Sequence, residues 1–365
     1  MRTRELEYDL PPELVAQTPI EPRDASRLLV IHRDTGRLEH RIFHEIGEYL
    51  RPGDLVIANE SRVIPARLRA RKAGTGGAVE ILLLRQLSDL TWEALVGGKH
   101  VLPATRLEVL GDAGQTVLQA EIVEALEGSQ RIVRFDRPVA PFFGQIGAMP
   151  LPPYIRTRLT DSERYQTIYS RTLGSAAAPT AGLHFTPDLM VALRRHGIEF
   201  GFVTLHVGLD TFKPVDEETV EVHHIHTEWC ALSPEVSRQI NQARLAGRRV
   251  IAVGTTSVRV LESAARQSQI SNVKYQNDEC ADSENSGVCA WQTVSAFEGF
   301  TDLYIYPGYQ FRVVDAMITN FHLPRSTLLA LVSAFAGRET ILRAYQAAIQ
   351  EHYRFYSFGD ATLIL

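Results

Sequence analysis

The sequence changes period partway along, and that change restricts the available folds more than any other feature. Between residues 62 and 140, apolar stretches at 79–84, 92–96, 106–110, 117–124 and 131–135 recur about every ten residues. Gly and polar turns separate them, Gly74–Gly77 among them, without helical periodicity. Short strands at that spacing predict a small antiparallel barrel or sandwich. From Pro150 onward helical and strand patterns alternate instead. A helix at 187–196 stops at Gly197, a strand covers Phe200–Val207, and a helix Pro234–Ala246 stops at Gly247. A strand Arg249–Val253 and a helix over 257–266 follow, then strands Leu303–Ile305 and Phe311–Met317 and helices at 326–335 and 339–352. This alternation predicts an α/β fold, a mainly parallel sheet with flanking helices. Residues before 62 contribute a strand Arg27–His32, a turn at Asp34-Thr-Gly36, a short amphipathic helix at 43–50 and a buried strand Asp54–Ala58.

At 365 residues two domains are the default expectation. A net charge of −5 excludes a globally basic nucleic-acid binder but leaves room for local basic faces. Two are visible: Arg62, Arg67, Arg69, Arg71 and Lys72, then Arg156, Arg158, Arg164 and Arg171. No apolar run has membrane-spanning length, and the N-terminus lacks a signal-peptide pattern. Cys230, Cys280 and Cys289 are scattered, so a disulfide framework or zinc ribbon is not expected and a cytoplasmic location is. Residues 267–290, polar and without periodicity, read as a flexible surface insertion.

The block Gly174–Thr186, GSAAAPTAGLHFT, consists almost wholly of tiny side chains ending in one His. Such a run cannot fill a core, but it lets backbone approach a ligand closely. Thr186-Pro187-Asp188 then has the form of a helix start, with a capping Thr and Pro at the first position. A small-residue loop feeding a helix N-terminus suits an anionic or carboxylate-bearing group.

Three further motifs fall at strand ends, where open α/β sheets bind ligands: Thr204-Leu-His206-Val-Gly208, Val253-Gly-Thr-Thr-Ser-Val-Arg259 and Thr319-Asn-Phe-His-Leu-Pro324. His184, His206 and His322 are candidate acid–base groups, because imidazole titrates near neutral pH. A lone buried His is more often simply hydrogen-bonded, so one or two of the three are expected to act. His223, His226 and Glu228 lack the spacing of a zincin helix; a strand would put His224, His226 and Glu228 on one face that could bind zinc, but a hydrogen-bonding role is the preferred reading. Tyr353-Arg-Phe-Tyr-Ser-Phe places Arg354 among aromatics that can stack on bases.

Taken together these blocks resemble one family, the S-adenosylmethionine:tRNA ribosyltransferase-isomerases of queuosine biosynthesis. The matching stretches include YDLPPELVAQTPIEPRDASRLLV, LPPYI, DSERYQTIYS, GSAAAPTAGLHFT, VTLHVGLDTFKPV, HHIHTE, VGTTSVRVLE and YRFYSFGDATLIL, in family order from residue 8 to the C-terminus. One departure is Asp210, where the family usually has Gly. The resemblance implies an α/β domain (1–61 and 150–365) with a small antiparallel β-barrel domain (62–149) inserted in it. It implies transfer and isomerisation of the ribosyl moiety of S-adenosylmethionine onto 7-aminomethyl-7-deazaguanine at the wobble position of tRNAs with GUN anticodons; the alternative reading is a non-catalytic RNA-binding protein. The partners would be that tRNA and S-adenosylmethionine, the latter a substrate; no cofactor, metal, membrane or obligate protein partner is expected. The catalytic set is then expected from His184, His206 and His322. Donor binding is expected from Ser175, Ala177, Pro179, Thr180, Gly182, Gly254, Thr255, Thr256, Ser257, Arg259 and Asn320, and tRNA binding from Arg156, Arg158, Arg164, Arg354 and Tyr356.

Overall fold

The computed structural model describes residues 1–157, 159–208, 215–225, 227–277 and 293–365, with backbone only for 269–277. Arg158, Asp210, His226 and the 278–290 part of the expected insertion lie outside the described residues. The chain divides into two compact units. The larger comprises Met1–Ser61, Pro153–Thr172 and Pro179–Leu365, and the smaller Arg62–Pro152 with Leu173–Ala178.

The larger unit is built on a nine-stranded sheet. Its spatial order is Phe297–Thr301, Glu228–Leu232, Glu199–Leu205, Leu55–Asn59, Val250–Val253, Ala316–Asn320, Ala361–Ile364, Arg27–Ile31 and Leu38–Ile42. The sheet is mixed, which corrects the expectation of a mainly parallel one. Glu199–Leu205, Leu55–Asn59, Val250–Val253 and Ala316–Asn320 run parallel, and Arg27–Ile31 is parallel to Ala361–Ile364. The other four ladders are antiparallel. Composition follows position in the sheet. The inner strands Leu55–Asn59, Val250–Val253, Ala316–Asn320 and Ala361–Ile364 are buried throughout, whereas the edge strands are not. A strand covered on both faces tolerates an unbroken apolar run, and an edge strand does not. One face carries a core of Val56, Ala58, Ile251, Val253, Ile318 and Leu363 against Phe43, Ile46, Phe185, Leu189 and Leu193. The other face is covered by the helices Pro234–Leu245 and Gly254–Asn277.

Two sequence expectations shift here. Residues 303–305 are not a strand; the edge strand is Phe297–Thr301. The strand expected at Phe311–Met317 runs instead over Ala316–Asn320. The reason is the fully buried Glu262 carboxylate, which accepts the amides of Arg312, Val313 and Val314 and so withdraws them from any ladder. The helix begun at Gly254 also continues to Asn277, so the first part of the expected insertion is helical.

Six antiparallel strands of the smaller unit form a ring, in the order Arg67–Lys72, Ala78–Gln86, Thr91–Gly97, Gln130–Phe135, Thr116–Ala125 and Arg106–Leu110, and the two-residue strand Gly147–Ala148 adds to the first. Pairing of the last with the first closes the barrel and removes its free edges. Alternate residues point inward, among them Leu68, Ile81, Ala94, Val109, Ile122 and Val133.

Candidate functional site

Several polar groups of the larger unit gather at one end of its sheet. This end holds the C-termini of Leu55–Asn59, Glu199–Leu205, Val250–Val253 and Ala316–Asn320, and the N-termini of Arg27–Ile31 and Ala361–Ile364. Thr180–His184 forms a 3-10 turn after Pro179, and Thr186 then caps the helix Pro187–Arg195, its hydroxyl accepting the Leu189 amide at 3.2 Å. Gly182 has to be glycine. A Cβ there would lie 2.1 Å from the Tyr169 hydroxyl and 2.9 Å from Thr167 Cγ2. Gly254 turns from strand into helix at φ +82°, and a Cβ on it would rest 3.6 Å from Ala181. Ser175 and Ala177 belong to the smaller unit, where the buried Ser175 hydroxyl donates to the Ala177 carbonyl at 2.7 Å.

His184 is 5 % exposed and packs its ring 5.0 Å from that of Phe43. Asn320 Nδ2 lies 3.3 Å from its Nε2, and the Thr180 hydroxyl donates to Asn320 Oδ1 at 2.9 Å. An amide nitrogen can only donate, so Nε2 is the acceptor and Nδ1 carries the proton, given to Ser26 Oγ at 2.8 Å. Burial, with the nearby charges of Arg354 and Arg23, holds His184 down to about 3, so its imidazole is neutral. A cleft lined by Arg23, Arg164, Leu183, Ser357 and Phe358 reaches this ring.

Asn59 organises the neighbouring strand ends. Its Nδ2 donates to the Leu205 carbonyl at 3.0 Å and to Thr256 Oγ1 at 3.2 Å, while its Oδ1 accepts the amides of Ser61 and Leu205. His206 follows directly. It stacks on Trp229 at 5.0 Å, is partly exposed, and is held down to about 4 by burial. His322 sits differently: it is 6 % exposed, its Nε2 lies 3.0 Å from Thr319 Oγ1, and its backbone is fixed by the hydroxyls of Tyr8 and Tyr345. Burial holds it down to about 3. His206 is therefore the most exposed of the three candidate rings.

The helix-start residues divide in the same way. Thr256 meets Asn59, Thr255 is buried, and Ser257 bonds back to the Val253 carbonyl at 2.7 Å. Arg259 is 4 % exposed, with its Nε on the Leu303 carbonyl at 3.1 Å and its Nη1 paired with Glu228. Its charge is met inside the protein by a carboxylate whose other oxygen accepts the Gly208 amide at 2.9 Å. His223 bonds Glu217 at 2.9 Å, and among the described residues no group of three His, Cys, Asp or Glu is arranged to hold a metal ion.

The residues expected to meet tRNA are equally varied. Arg156 is exposed, with its amide on Gln17 Oε1. Arg164 pairs with Glu21 at 2.7 Å and bonds the Ile20 carbonyl, and Arg354 bonds the Thr18 carbonyl. Tyr356 is 8 % exposed and packs 4.8 Å from the Tyr154 ring. Asn59 and Ser26 escaped the sequence reading, although a lone Asn ending the apolar run Leu-Val-Ile-Ala is a visible signal.

A mixed α/β unit with buried amides, hydroxyls and neutral imidazoles at one sheet end, carried with a closed β-barrel, is the design of an enzyme acting on a polar ligand. The chain belongs to the family described as queuosine biosynthesis protein, whose model matches residues 3–364. A relative from Moorella thermoacetica, named S-adenosylmethionine:tRNA ribosyltransferase-isomerase, is 49% identical over 370 residues and covers 100% of both chains. One of the same name from Heliobacterium modesticaldum is 50% identical over 364 residues, covering 98% of each. The crystal structure of an S-adenosylmethionine tRNA ribosyltransferase from Thermotoga maritima matches with a TM-score of 0.53 at 40% identity, covering 99% of this chain and 100% of that one.

Proposed function

We propose that this protein transfers and isomerises the ribosyl moiety of S-adenosylmethionine onto 7-aminomethyl-7-deazaguanine at the wobble position of GUN-anticodon tRNA. The product would be epoxyqueuosine-tRNA, with adenine and methionine released. Full-length identity near one half to relatives of that name supports the reading. No resident metal or cofactor is required, because the positive sulfur of the donor itself acidifies the adjacent C–H. Among the described residues no helix is long and apolar enough to cross a membrane, and a cytoplasmic setting suits a tRNA substrate.

The observation that carries the mechanism is His206: neutral at pH 7, partly exposed, and stacked in place beside the Asn59 network. In this reading its free lone pair takes the proton next to the sulfonium. The resulting imidazolium, strongly acidic because burial disfavours its charge, returns a proton to departing adenine. His184 and Asn320 supply fixed hydrogen-bonding groups, and His322 braces the strand end. The test is His206→Gln. Turnover should fall about 10²- to 10⁴-fold while the affinity for S-adenosylmethionine holds. Normal turnover would remove His206 from the chemistry.

A further inference from the structure

The two basic groups of the barrel unit differ in how their charge is met. Arg67, Arg69 and Arg71 point outward from one strand, and each faces a carboxylate: Glu80 at 2.9 Å, Asp112 at 3.5 Å and Glu108 at 2.6 Å. This stripe is neutralised. The loop between the strands Thr91–Gly97 and Arg106–Leu110 is not. Lys72 Nζ donates to the carbonyls of Lys99 and His100 at 2.5 and 2.8 Å. Arg131 Nε donates to the Val101 carbonyl at 3.2 Å, and its Nη1 to those of Gly128 and Gln130. Carbonyls satisfy these donors but leave the formal charges standing. Lys99, His100 and Arg106 add exposed side chains at the same end of the barrel. Glu121, opposite Arg106 in the ladder, is taken by Arg134 at 3.0 Å. Among the described residues none of Lys72, Lys99, Arg106 and Arg131 has an ion-pair partner.

The loop is also held in a costly shape. His100 at φ +52° and Ala104 at φ +65° sit in the left-handed region, which disfavours side chains. Such backbone persists where surrounding contacts impose it: Lys72 holds the His100 carbonyl, and the Ala104 amide donates to the Ile122 carbonyl at 2.8 Å. The result is a fixed, uncompensated positive rim in a chain whose net charge is −5. Cations left unpaired at a surface repel one another unless an anion joins them, and several spaced charges suit a polyanion better than one small ion.

We propose that this rim is a phosphodiester-binding surface for the RNA substrate, with Lys99 and Arg106 as contacts and Lys72 and Arg131 as the charges that hold the loop. This rests on the reading that the substrate is tRNA. The double variant Lys99→Ala/Arg106→Ala removes two exposed side chains without disturbing a hydrogen bond. Binding of unmodified tRNA across a salt series should weaken about tenfold near physiological salt. The log–log salt slope should drop by about one unit per lost contact. Affinity for S-adenosylmethionine should hold, and KM for tRNA should rise with kcat retained. The paired-arginine control, Arg67→Ala/Arg71→Ala, should leave affinity and slope as in the parent. If the first variant keeps the parental slope, or if the control weakens binding equally, the proposal is overturned. A parent that binds tRNA through this rim yet releases no adenine from S-adenosylmethionine would defeat the functional reading and leave the surface standing.

Discussion

Lowering the pH should unfold this protein through its histidines before its carboxylates. His184 and His322 are 5 % and 6 % exposed, and burial holds both down to about 3 against an ordinary value of 6.5. A depressed value means that the unfolded chain binds the proton more readily. The stability tied to the neutral rings is therefore fully present above pH 6.5 and is lost as pH falls toward 3. At pH 5.5 each ring costs RT ln(1 + 10), about 1.4 kcal/mol; His206, held down to about 4, adds a like amount, and the three together cost about 4 kcal/mol. That is a large share of a typical 5–15 kcal/mol. Glu262 and Asp360 act oppositely: burial raises both, so the folded state takes up their protons first and offsets part of the loss at lower pH. His322→Gln keeps an amide for Thr319 and removes one of three titrating rings, so about a third of the slope between pH 7.5 and 5.5 should vanish. The assay is urea unfolding of parent and variant across that range. A flat parental profile, or equal slopes in both proteins, would refute the reasoning.

Three other outcomes follow from the same geometry. Gly182→Ala pushes a Cβ against the Tyr169 hydroxyl and should cost about 1–3 kcal/mol; adding Tyr169→Phe should recover part of it, and purely additive effects in the cycle would contradict the clash. Arg259→Met strands the buried Glu228 carboxylate and should cost about 3–5 kcal/mol, with Glu228→Gln added to Arg259→Met restoring much of it in thermal melts. Dialysis against a strong chelator should leave turnover unchanged; loss that zinc restores would reverse the hydrogen-bonding reading of His223 and Glu228.

Period and punctuation made much of the architecture legible. The ten-residue spacing exposed five of the six barrel strands. The sixth, Arg67–Lys72, was hidden because its Arg-Leu-Arg-Ala-Arg alternation looked like a charge cluster; Leu68 and Ala70 carry the inward face. Sheet direction was not legible, since strand pattern does not record whether a neighbour runs parallel. The Glu262 carboxylate, capturing amides fifty residues away, is likewise invisible to local propensity. At the site, residue types were readable but accessibility was not. His184, His206 and His322 look alike in sequence, and only packing separates two interior rings from the more exposed third. The charge of Arg259 was readable, but its pairing with Glu228, thirty-one residues away, was not.

The central claim is that the donor's ribosyl carbons, rather than its methyl group, end up in the RNA. S-adenosylmethionine carrying ¹³C in the ribose should be incubated with the protein and tRNA bearing 7-aminomethyl-7-deazaguanine, and the digested wobble nucleoside weighed by mass spectrometry. The account predicts five labelled carbons in that nucleoside, with unlabelled adenine and methionine free in solution. Label found instead in S-adenosylhomocysteine, beside a methylated nucleoside, would contradict it.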